Sequence, residues 1–156
     1  MFAMGAERFR SELILAARVL IVLLFVIFGW SKLTDYGGAV GEMTAMGAPA
    51  PQISAVIAIV IEFFVGIAIL LGALTRPLAL VMAAYALATA FIGHHYWNMP
   101  GADQLATESD FYKNISIMGG FLLLCVTGAG KYSLDAMFGE KAPQGASDGL
   151  NHPLHP

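Results

Sequence analysis

The most chemically telling residue is Glu62, a carboxylate set in the apolar run Ile59-Val60-Ile61-Glu62-Phe63-Phe64-Val65. An ionised group inside hydrocarbon costs at least about 2.5–3.5 kcal/mol. Glu62 must therefore find a partner or hold a proton. One reading is a staple within a helix bundle, in which Glu62 pairs with Arg18 or, protonated, hydrogen-bonds Tyr85 or Thr89. The other is a proton-handling or ligand-contacting carboxylate beside a cavity.

Arg18 also interrupts an apolar run. It lies about 8 Å from the inner end of its segment, so it either snorkels into headgroups or pairs with Glu62. Lys32 and Lys113 fall at outer ends, where lysines anchor helices at the interface. The sequence His94-His95-Tyr96-Trp97 reads as an aromatic belt, with His94 also able to donate to a quinone carbonyl. A carboxylate that can hold a proton, together with a hydrogen-bond donor near the outer leaflet, suits quinone-linked redox chemistry. The electrons would come from a partner protein.

Other chemistries fall away. His94 and His95 diverge by about 100° on a helix, and the remaining histidines, His152 and His155, lie near the C-terminus. Neither a metal nor a haem is expected. Cys125 is the single cysteine, no Ser-His-Asp elbow or phosphate-cradling glycine loop occurs, and a net charge of -3 offers no field for nucleic acid. Met118 and Cys125 read as packing residues, and Gly119-Gly120 as a close helix contact.

The elements that position these residues follow from hydropathy. The chain is 58% hydrophobic and 12% charged over 156 residues, with mean hydropathy +0.71, against about a quarter charged in soluble domains. Four apolar segments approach the roughly 20 residues of a membrane span: about 13–30, 53–74, 77–97 and 111–129. The expected fold is all-α, a four-transmembrane-helix bundle over 13–130. A segment 1–12 precedes it, and a tail 131–156 follows that is expected to fray after Phe138. The first span ends in Phe28-Gly29-Trp30-Ser31-Lys32 rather than small residues, so it reads as a retained helix, not a cleaved signal.

Arg8, Arg10, Arg18, Arg76, Lys131 and Lys141 lie on one side against Lys32 and Lys113 on the other, which predicts both termini in the cytoplasm. Thr75-Arg76-Pro77 predicts a hydroxyl-capped hairpin between spans two and three, and Thr107 to Asp110 a capping box before the fourth. Between Gly37-Gly38 and Pro49-Ala50-Pro51, residues 39–46 could form a short helix on the outer surface. Arg18, Phe25, Gly29 and Lys32 share one face of the first span, and Glu62 and Gly66 stack one turn apart on the second.

These fragments, in order, resemble the DoxX family of small four-helix membrane proteins. The resemblance covers about 18–138. It rests on Arg18-Val19-Leu20, Gly29-Trp30-Ser31-Lys32-Leu33, Gly47-Ala48-Pro49-Ala50-Pro51, Glu62-Phe63-Phe64-Val65-Gly66, Gly72-Ala73-Leu74-Thr75-Arg76, His94, and Phe111-Tyr112-Lys113-Asn114 with Gly119-Gly120. It implies a multi-pass protein of the bacterial inner membrane, linked to quinol oxidation, thiosulfate:quinone oxidoreduction or oxidative-stress assemblies. The site candidates are Glu62 for the proton, with Arg18, Lys32, Tyr85, Thr89, His94, Lys113 and Asn114 toward a lipid quinone. A protein partner and a homo-oligomer are compatible with it. The competing expectation is a non-catalytic anchor or assembly subunit, and a small-molecule carrier is a third.

Overall fold

The computed structural model describes residues 9–139, which form helices and no strand. Helix α1 is Arg10–Thr34, α2 Tyr36–Ala45, α3 Pro51–Leu71, α4 Thr75–Gly93, α5 Ala102–Thr127 and α6 Leu134–Gly139. Among the described residues, three segments are long and apolar enough to cross a membrane: Arg10–Thr34, Pro51–Leu71 and Thr75–Asn98. The 26-residue α5 has the length, but its first half carries Asp103, Glu108, Asp110 and Lys113.

Glycine decides how closely the rods approach. A Cβ on Gly29 would lie 2.5 Å from the Phe63 amide nitrogen and 2.9 Å from Glu62 Cβ, so α1 touches α3 backbone to backbone. One turn of α3 further on, a Cβ on Gly66 would sit 3.0 Å from Val26. On the other flank, Gly120 of α5 receives the Ile21 side chain of α1, as its doublet suggested. The α4–α5 pair is the most extensive helix contact. The order around the bundle is thus α1, α3, α4, α5.

The core divides in two. At the end where α1 begins, Val22, Ile69, Ala79, Met82 and Phe121 are wholly buried and close the bundle. At the other end, Ala39 and Met43 of α2 pack on Ala48, Ala55 and Ala58. The short helix expected over 39–46 is therefore present as α2, and it rests on small residues that let it lie flat. Asp35 initiates it by accepting from the Gly38 amide at 2.9 Å. Leu20, Leu123 and Val126 project outward. In lipid such surface carries no penalty, and packing rather than water exclusion holds the helices together.

Several boundaries differ from expectation. The α3–α4 hairpin exists, with Gly72 at φ 74° ending α3, but the start of α4 is capped by Asp135: its carboxylate accepts from the Leu74 amide at 2.7 Å and the Thr75 amide at 2.9 Å. The stretch from Tyr132 to Asp135 is consequently tied to the bundle, because the exposed amides of a helix start need an acceptor. The frayed segment expected beyond Phe138 falls, apart from Gly139, outside the described residues. Helix α5 starts at Ala102, so the Thr107–Asp110 box lies inside the helix, where the Thr107 hydroxyl bonds Asp103 O. Helix α4 ends at Gly93, and Tyr96–Asn98 form a separate 3-10 turn.

Candidate functional site

Helix α3 is not α-helical throughout: Val60–Val65 form a π-turn, and Glu62 lies in it. Such turns fit one extra residue per turn and recur at functional sites. The wide turn is where Gly29 lets α1 make contact. Lys32 lies three residues beyond Gly29 on the same face of α1, which brings its ammonium to the Glu62 carboxylate.

Lys32 Nζ donates to Glu62 Oε2 at 3.0 Å, and Tyr85 Oη of α4 donates to Glu62 Oε1 at 2.6 Å. Glu62 is 7% exposed and Lys32 8%. Both carboxylate oxygens thus have a partner, as a buried charge requires. Lys32 Nζ also lies 3.6 Å from Glu42 Oε2 on α2 and 5.7 Å from the Phe28 ring centroid. Phe25 packs edge-on against Tyr85, fixing its ring.

The network forms part of the wall of a cavity of about 410 Å³, within the roughly 300–1,000 Å³ typical of small-molecule sites. Its apolar walls include Phe25, Phe28, Met43 and Ile117. Glu42, Glu62, Lys32, Tyr85, Thr89, His94, Lys113 and Asn114 supply the polar groups. Seven of the eight residues singled out in the sequence therefore share one cavity.

Their individual states vary. Thr89 donates to the Tyr85 and Ala86 carbonyls, so it does not bond Glu62 as one staple reading had it. His94 is half-buried and caps α4, past the helix end. Asn114 is buried, and its side-chain amide donates to Asp110 O at 3.2 Å. Lys113 is half-exposed and paired with Asp110 Oδ1 at 2.6 Å.

Arg18 is the exception. It lies fourteen residues before Lys32, about 21 Å along the helix, and donates to the Ala129 carbonyl at 2.6 Å and the Tyr132 carbonyl at 2.7 Å. It is 2% exposed, so neither snorkelling nor pairing with Glu62 describes it. Arg18 instead ties down the chain after α5, next to Asp135. Burial alone would push the Asp135 carboxyl up, but hydrogen bonds from Thr75 and the Leu74 amide, with the Arg18 charge nearby, hold it below its usual value. Lys32 is likewise no interface anchor, since it is buried against Glu62.

Glu42 was missed. Its sequence signal was slight: one carboxylate on a weakly amphipathic ten-residue helix, ten residues after Lys32. Phe28 was missed as a site residue because an exposed aromatic in a span reads as lipid-facing.

Residues 13–95 match the family described as DoxX, which includes every polar site residue except Lys113 and Asn114. The chain is similar to the Escherichia coli inner membrane protein YphA, 48% identical over 86% of this chain and 94% of the relative. It is also similar to the E. coli inner membrane protein YqjF, 44% identical over 82% of this chain and 93% of the relative. A third relative, the yeast ER-derived vesicles protein ERV29, is 28% identical over 83% of this chain but only 34% of its own length. No solved structure matches.

Proposed function

The chain belongs to the DoxX family and is a multi-pass inner-membrane protein, and from that premise we propose that its cavity binds a lipid quinone for redox chemistry with a partner protein. In this reading α5 is the fourth span and both termini face the cytoplasm, which puts the cavity in the outer leaflet half. The observation that carries the reading is the buried Lys32–Glu62–Tyr85 network opening onto an apolar cavity.

The residues suit the group. An aromatic ring with carbonyls at its edge needs flat apolar walls and convergent donors, and Phe25, Phe28 and Met43 stand beside Lys32, His94 and Asn114. A bound quinone supplies two-electron, two-proton chemistry, with electrons exchanged through the partner. Lys32 Nζ and a His94 ring N–H donate to a carbonyl oxygen. Tyr85 Oη passes a proton between that region and Glu62 Oε1, to which it is already bonded at 2.6 Å. Lys32 keeps the emptied carboxylate compensated. The plug of Val22, Ile69, Met82 and Phe121 excludes water from the α1-start side, so Glu62 exchanges protons only through the cavity.

Purification in mild detergent followed by lipid extraction is the test. A quinone should co-purify with the wild-type chain and fall several-fold in Lys32→Met, while Glu62→Gln membranes lose quinol turnover. Unchanged quinone content and turnover, with lowered protein level or partner recovery, would make the network a structural clasp in an assembly subunit instead.

A further inference from the structure

The cavity wall between α1 and α5 is formed by residues that also belong to the outer surface of the bundle. The two helices run antiparallel and are in contact where Ile21 meets Gly120. Helix periodicity puts Leu24 and Ile117 at the next level outward from that contact, and Phe28 and Lys113 at the level after it. All four line the cavity, yet Leu24 is 43% and Phe28 53% exposed, and Lys113 is exposed as well. The wall there is at most one side chain thick. The opposite flank, between α3 and α4, also has exposed lining residues, Ile57 at 48% and Ile92 at 41%, but there Met46 of the α2–α3 connection packs on Gly93 of α4 and bridges the gap.

Phe28 connects this window to the polar network, since its exposed ring also carries the Lys32 ammonium at 5.7 Å. Anything sliding past Phe28 from the lipid meets Lys32 first, then Glu62 and Tyr85. Behind the window Leu24 and Ile117 offer hydrocarbon alone.

We propose that the α1–α5 window is the ligand's lateral entrance and the seat of its hydrocarbon tail, so that the substrate class is a lipid-phase amphiphile: a polar ring at Lys32–Glu62–Tyr85, and a chain leaving between Leu24/Phe28 and Ile117/Lys113 toward the outer leaflet. This rests on the cavity being a lipid-quinone site. It adds which face of the bundle stays open to lipid and which residues select for a chain.

The test uses the full chain in detergent and two probes: a dimethoxy-methyl-benzoquinone with a ten-carbon chain, and the same ring without it. Leu24→Trp and Ile117→Trp fill the window from either side without touching Lys32, Glu62 or Tyr85. Overfilling at this scale weakens fit by roughly tenfold or more, so both variants should lose about that much affinity for the chained probe and keep wild-type affinity for the bare ring. A photoreactive group at the chain's end should label α1 and α5 around Leu24, Phe28 and Ile117. Unchanged affinity for the chained probe, equal loss of both probes, or labelling at Ile57 and Ile92 on the α3–α4 flank would each overturn the window. If neither probe binds the wild-type chain at all, the quinone reading fails and the window with it. Binding of the bare ring with labelling elsewhere sinks the window alone.

Discussion

Replacing Gly29 with alanine tests the geometry on which the site depends. The added Cβ would lie 2.5 Å from the Phe63 amide nitrogen, where ordinary contact begins near 3.4 Å. The obstructing atoms are backbone and Glu62 Cβ, which cannot swing aside. Helix α1 must therefore retreat by about 0.9 Å, the difference between those distances. Lys32, one turn away on the same face, retreats with it, and its 3.0 Å bond to Glu62 opens toward 4 Å, beyond hydrogen-bonding reach. Overpacking of this kind costs about 1–3 kcal/mol, a fall in Tm of roughly 3–10 °C for a chain of this size. Thermal unfolding in detergent, followed by circular dichroism, measures it. Gly119→Ala is the control: it also lies within a helix, but its Cβ would meet nothing within 4 Å, so it should be neutral or gain up to about 1 kcal/mol from helix propensity. Equal Tm values for Gly29→Ala and the wild type, or equal losses at the two glycines, would refute the claim that close approach at the π-turn builds the site.

Removing one member of the buried pair should do more harm than removing both charges. Lys32→Met leaves Glu62 buried without its cation, a loss of about 3–5 kcal/mol, and Lys32→Met with Glu62→Gln should recover most of it in chemical denaturation. Glu42→Ala, whose partner already has Glu62 and whose side chain is 43% exposed, should change stability by no more than about 1 kcal/mol. Arg18→Lys keeps the charge but not the fork that reaches both the Ala129 and Tyr132 carbonyls, so increased proteolysis after α5 is expected. Asp135→Asn should weaken the start of α4 by about 1 kcal/mol at neutral pH. Because the folded carboxyl is held below its ordinary value, its contribution is full above the ordinary carboxylate range and is lost as pH falls through the lowered value. The stability gap between wild type and Asp135→Asn should therefore close in acid; a gap that widens there would contradict the cap.

The apolar spans and the odd position of Glu62 were legible in the sequence because hydropathy and the cost of a buried charge are local properties. Partners were harder. Lys32 was read at the outer surface and Glu62 near the midplane, since counting along separate helices assumes both start at the same level. In the fold Gly29, near the end of α1, lies against Glu62 and Phe63, well into α3, so α3 starts further out than α1 ends and the two side chains meet. Arg18 found backbone carbonyls more than a hundred residues away, contacts that no spacing rule anticipates. The π-turn leaves no mark in Val60-Ile61-Glu62-Phe63-Phe64-Val65, where it coincides with the approach of Gly29 from another helix. The cap on α4 went to Asp135 rather than Thr75 for a similar reason: a carboxylate from a later segment reached both amides.

Infrared difference spectroscopy on the purified chain, recorded before and after adding the ten-carbon-chain benzoquinone, examines the heart of the matter at a single functional group. The expected spectrum contains a carboxyl band that shifts on binding, disappears in Glu62→Gln and is altered in Tyr85→Phe. A difference spectrum with no such band, or one identical in Glu62→Gln, would mean that the ligand never reaches the buried acid.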